Sequence, residues 1–138
     1  MQTLKSVLRV ILIILMIVLA FTTLAGGIGL LTGMVAPLLE QLQGSIFKDY
    51  TIPGLSLFVI VGGSASLATI LLLRRSKYAL LAALTAAIII MFFEFVEVLT
   101  IGSPLGLARN LQVFYYGLGT VIAIIACGIW FIELYSNT

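Results

Sequence analysis

Four apolar runs, at about 7–31, 53–73, 78–101 and 111–134, occupy most of this 138-residue chain. A bilayer core of about 30 Å needs roughly 20 helical residues to cross it, and each run reaches that length. Membrane strands are about half as long and alternate between lipid-facing and inward residues, so unbroken runs predict helices. A soluble fold of this size cannot absorb them. Hydrophobic residues make up 62% of the chain and charged residues 9%, against roughly 45–50% and 25% in an ordinary globular domain. A small domain also leaves much of its surface in water. The expected fold is an all-α membrane protein: one domain over residues 1–138, an antiparallel four-transmembrane-helix bundle. Its first partner is the lipid bilayer. A net charge of +2, small and dispersed, argues against nucleic acid.

The charges are sorted along the chain. Lys5 and Arg9 flank the start of the first run, and Arg74, Arg75 and Lys77 fill the link between the second and third. The other side holds Lys48 and Arg109. Positive residues accumulate on the cytoplasmic side, so both termini are expected there, in a bacterial inner (plasma) membrane. Four spans agree, because an even number returns the chain to its starting side. The first run also resembles a signal peptide, with a basic start and Thr23-Leu24-Ala25 as a cleavage-like sequence. Its apolar character continues through Gly33, beyond a signal core of about 7–15 residues, and it is read as a span.

The links differ in length. Arg74 to Lys77 is a tight helical hairpin turn, whereas the segment from Gly33 to Ile52 is the main feature outside the membrane. Pro37 can open a helix and Gly44 can close one. Between them Leu38, Leu39 and Leu42 alternate with Glu40, Gln41 and Gln43, which predicts a short interfacial amphipathic helix. Phe47, Tyr50 and Trp130 suit interfacial anchoring, and Trp130 and Tyr135 would mark the cytoplasmic end of the fourth span. Asp49 or Thr51, with Pro53, would cap the start of the second.

Small residues suggest where helices touch, because membrane helices associate by close backbone approach. Gly29 and Gly33, Gly62 and Ser66, Ala79 with Ala83 and Ala87, and Gly119 with Ala123 and Cys127 each form such a pattern. Together they predict a compact bundle and allow a homo-oligomer or a membrane-protein partner. The chain has no histidine and one cysteine. A histidine-ligated haem, a zinc–histidine site, a Ser-His-Asp triad and an intrachain disulfide are therefore excluded within it, and no cofactor or metal is expected. Cys127 reads as a small buried hydrophobe. Gly26-Gly27-Ile28-Gly29 follows no strand and lacks the lysine of a phosphate loop.

Glu94 and Glu97 carry the most information. Three residues apart, they lie about 60° from one another around a helix, and Glu94 continues the line of Ala83 and Ala87. Both should look into the bundle. A charged carboxylate in mid-bilayer costs at least about 2.5–3.5 kcal/mol, so each must be paired, protonated or wetted. Counted from Tyr78, Glu94 lies about 24 Å along its helix, in the outer part of the membrane. Lys48 and Arg109 are on the same side and could reach the carboxylates, with Asn110 and Gln112 completing a network. Tyr115 and Tyr116 could line a pocket there. The candidate polar cluster is Glu94, Glu97, Lys48, Arg109, Gln112 and Tyr115.

One longer pattern runs through the chain: Ala25-Gly26-Gly27-Ile28-Gly29-Leu30-Leu31, then Leu38-Leu39, then Ser45-Ile46-Phe47-Lys48-Asp49-Tyr50-Thr51-Ile52-Pro53-Gly54-Leu55. Glu94, Glu97, Ile101-Gly102 and Leu111-Gln112-Val113-Phe114-Tyr115 follow. Over most of its length the chain resembles a family of small, uncharacterised four-span bacterial inner-membrane proteins with a GGxxLL … SPFxDYxIPG pattern. Ile46 stands where that pattern has proline. The resemblance implies fold and location, and carries over no catalytic residue. Three functions remain open. The first is a structural or accessory membrane component held by its polar cluster. The second is an oligomeric small-molecule or proton-coupled transporter, or ligand-binding protein, using Glu94 and Glu97. The third, an enzyme acting on lipid or quinone, has a carboxylate pair for acid–base work but no visible nucleophile–base constellation. Small multidrug transporters share the four-span size, but their membrane glutamate lies in the first span, which has no acid here.

Overall fold

The computed structural model describes residues 2–32, 54–101 and 107–136. Four helices account for nearly all of them. Helix α1 is Gln2–Thr32. Helix α2 begins as a π-helical stretch, Ser56–Val61, and continues as α-helix over Gly62–Leu73. Helices α3 and α4 are Ala79–Ile101 and Leu107–Ser136. All four are long and apolar enough to cross a membrane, which makes this a multi-pass, all-α membrane protein. Helices α1 and α4 overrun their apolar runs, starting at Gln2 and Leu107.

Each helix packs on its neighbour in the chain, and α1 against α4 closes the ring. The direction alternates up and down. The small-residue faces meet at the centre: Ala79, Ala83, Ala86 and Ala87 of α3 are all buried, as are Ala65 and Ala68 of α2. Larger core residues, Leu12, Met16 and Leu19 from α1 and Ile122 and Ile129 from α4, fill the space between them. The outer surface is equally apolar: Phe21, Phe92, Leu99, Val113 and Ile124 point away from the bundle. Water would not tolerate such a coat, but hydrocarbon does.

A close backbone contact joins α1 to the π-helical start of α2. A Cβ added at Gly27 would stand 2.7 Å from the Phe58 Cβ and 2.9 Å from its Cα and N. The wider π turn reaches α1 because position 27 carries no side chain. Gly119 of α4 is similarly pressed, with Met91 Cγ at 2.7 Å and the Ala87 carbonyl oxygen at 3.1 Å from a Cβ there.

Between α2 and α3 the chain reverses in a tight turn. The Arg75 N–H donates to the Leu72 carbonyl at 3.2 Å and the Ser76 N–H to that of Leu71 at 3.0 Å. This is the pattern of a left-handed helix cap, in which glycine is the usual residue. Here Arg75 takes the left-handed backbone, at φ 54°.

Two expectations need correction. Cys127 is exposed on the lipid-facing side of α4, not buried. The proposed stripe Gly119, Ala123, Cys127 takes only four-residue steps, which drift about 40° each around a helix. The buried line uses mixed steps instead, through Leu118, Ile122, Ala126 and Ile129. Gly33, the interfacial helix expected after Pro37, and the Asp49–Pro53 cap lie outside the described residues.

The glycine contacts predict a clear asymmetry. Gly27→Ala should destabilise the protein by about 1–3 kcal/mol, since its new methyl meets backbone that cannot swing away. Gly63→Ala, whose Cβ meets nothing within 4 Å, should be neutral or stabilising. Thermal unfolding in detergent checks both.

Candidate functional site

The end of the bundle away from the Arg74–Lys77 turn gathers polar groups from three helices. On α3 the buried line Ala83, Ala87, Ile90 continues into Glu94, which is 4% exposed. Glu97, one turn on, is half-buried. On α4 Gln112 and Tyr115, three residues apart, are both buried. Gly119 packs at the level of Ala87, Ile90 and Met91. Because α3 and α4 run antiparallel, Tyr115 and Gln112 then fall at the level of Glu94 and Glu97. On α1 the core stripe Leu12, Met16, Leu19 ends in Thr23, itself fully buried, with Thr22 beside it.

The hydroxyls are satisfied first within their own helix. Thr22 donates to the Val18 carbonyl at 2.7 Å and Thr23 to the Leu19 carbonyl at 2.6 Å. This back-bonding is a usual way to carry hydroxyls through a membrane helix. Thr22 also reaches across helices, its hydroxyl beside that of Tyr115. Tyr115 in turn lies within electrostatic reach of Glu94. The Glu94 carboxyl lies beside that of Glu97, one turn along the same helix. The remaining oxygen of Glu94, Oε2, is buried and has no hydrogen-bond partner among the described residues.

Glu94, Gln112 and Tyr115 thus come together in the buried end of the bundle, with Glu97 at its edge. Arg109 and Asn110 sit on the exposed start of α4. Tyr116 points outward, a turn of about 100° from Tyr115. Lys48 lies outside the described residues. Thr22 joins the cluster and Thr23 is buried next to it in sequence, although only Thr23 stood out in the sequence, within a cleavage-like stretch. The signal for Thr23 was the spacing: it follows Leu12, Met16 and Leu19 at four-, three- and four-residue steps, the spacing of one helix face. Among the described residues no three His, Cys, Asp or Glu side chains come together as a metal site would require.

No protein-family model, curated protein or solved structure matches the chain.

Proposed function

We propose that this chain is a structural or accessory component of the bacterial inner (plasma) membrane, with a polar cluster around Glu94 that fastens its spans together. The observation that carries this reading is that the cluster draws on three spans at once: Thr22 from α1, Glu94 and Glu97 from α3, and Tyr115 from α4. A buried network of this kind specifies one arrangement of helices, because in hydrocarbon the alternative is an unsatisfied polar group. The inner-membrane location and the cytoplasmic termini rest on the distribution of basic residues and on the four-span family pattern. The small-residue faces left on the lipid side, at Gly63 and Gly117, are compatible with a homo-oligomer.

The Oε2 atom of Glu94 favours a second reading. A buried oxygen without a partner costs roughly 1–3 kcal/mol, and a proton or a small polar ligand would relieve that cost. On this reading the chain is an oligomeric small-molecule or proton-coupled carrier with Glu94 and Glu97 as its coupling groups.

Two substitutions separate these functions. As a fastening, Glu94→Ala should lower stability by about 1–3 kcal/mol, with Glu94→Gln losing less because its amide can donate to Glu97. Unchanged thermal unfolding of both variants would contradict the fastening. As a carrier, Glu94→Gln should fold like the parent yet abolish proton-dependent uptake in proteoliposomes.

The orientation has its own check. In a Cys127→Ser background, Lys48→Cys should react with an impermeant thiol reagent applied from the periplasm, and Ser76→Cys should not. The reverse pattern would overturn the topology.

A further inference from the structure

The opposite end of the bundle holds an open cleft of about 680 Å³ between the start of α1, the α2–α3 turn and the end of α4. Lys5, Arg9, Arg75 and Lys77 line it, with Glu133 as the one acid among the lining residues. Glu133 is already engaged, its Oε1 3.1 Å from the Lys5 Nζ. Arg9 donates to the Leu72 carbonyl, which anchors its guanidinium without neutralising it. Arg9 also lies within electrostatic reach of Arg75, and of Glu133, which it shares with Lys5. Lys77 rests over the Tyr78 ring, 5.1 Å from its centroid, again keeping its charge. Four cations against one carboxylate leave a net charge of +3 on the lining.

The geometry points to this cleft as a binding site for a phosphate group carried by an anionic phospholipid. Three features favour that ligand. Cations crowded together repel one another, and an anion between them removes the repulsion. Guanidinium groups match phosphate oxygens in a fork geometry. The wall below the cations is apolar, formed by Val10, Ile13, Leu73 and Leu80, so acyl chains could follow the headgroup toward the bilayer core. Basic pockets between helices at a membrane surface suit lipid headgroups of this kind.

Arg75 adds an independent argument. It occupies the left-handed cap position where glycine would be the less strained choice. The cost of an arginine there is understandable if its side chain serves the cleft.

That same feature supplies a clean variant. Arg75→Gly removes a cation while relieving the backbone, so the turn should fold at least as well as the parent. The full-length protein, purified in a neutral detergent, would be titrated with phosphatidylglycerol or phosphatidylcholine and read by native mass spectrometry. The expected result is preferential retention of phosphatidylglycerol. Arg75→Gly and Lys77→Gln should each weaken it about fivefold, the effect of one cation near an anionic surface. Arg74→Gln, outside the cleft, should leave it unchanged. Inorganic phosphate in a parallel titration separates the two sources of the group. Failure of millimolar phosphate to displace the lipid supports the phospholipid, whereas full displacement would overturn the lipid assignment in favour of the free anion. Equal retention of both lipids, or no change in Arg75→Gly and Lys77→Gln, would overturn the site altogether.

Discussion

A carboxyl group cannot be left alone in hydrocarbon, and the arrangement of this bundle follows from where Glu94 can go. Facing lipid, it would meet nothing able to accept or donate. Facing inward, it finds Glu97 one turn away on its own helix and the Tyr115 end of α4 across the interface. Tyr115 carries the contact on to Thr22 of α1. Rotating α3 by the width of one residue would break this sequence of contacts and turn the alanine face of the helix out of the core. The polar and apolar requirements therefore select the same rotation, the agreement between levels that gives a chain one structure.

The apolar contacts work by subtraction. With lipid on the outside no more polar than leucine, burial gives helices little reason to pair. What distinguishes the inner faces is small residues at the points of closest approach, with larger side chains filling the space between. Gly27 lets the π-helical start of α2 come against α1, and Gly119 lets α4 settle onto Ala87 and Met91. Many further bulky residues, among them Phe21, Phe92 and Leu99, are turned outward, where they meet acyl chains. The two ends then differ in kind. One carries the buried Glu94 with Gln112 and Tyr115 around it, and the other opens into a basic cleft whose turn is held by backbone hydrogen bonds.

Much of this was readable beforehand, for physical reasons. Span number and helical character follow from run length, because only a helix hides its backbone over about 20 apolar residues. The inward direction of Glu94 followed from its spacing to Ala83 and Ala87. Cys127 was misplaced because a small residue at a four-residue spacing looks the same whether the stripe faces protein or lipid. Thr22 was not legible because it lies about 100° off the Leu12, Met16, Leu19 line that Thr23 continues. The π-helical stretch at Ser56–Val61 was invisible too. It depends on a partner glycine thirty-odd positions earlier, at Gly27, and no local propensity encodes that.

The orientation of one side chain is the most exposed point of this account. Solid-state NMR of the full chain in bilayers, with carbon-13 in glutamate and tyrosine, would observe it directly. The Glu94 carboxyl carbon should correlate through space with that of Glu97 and lie near the Tyr115 ring, with no transfer from lipid methylenes. Strong transfer from acyl chains to Glu94, without a contact to α4, would contradict it.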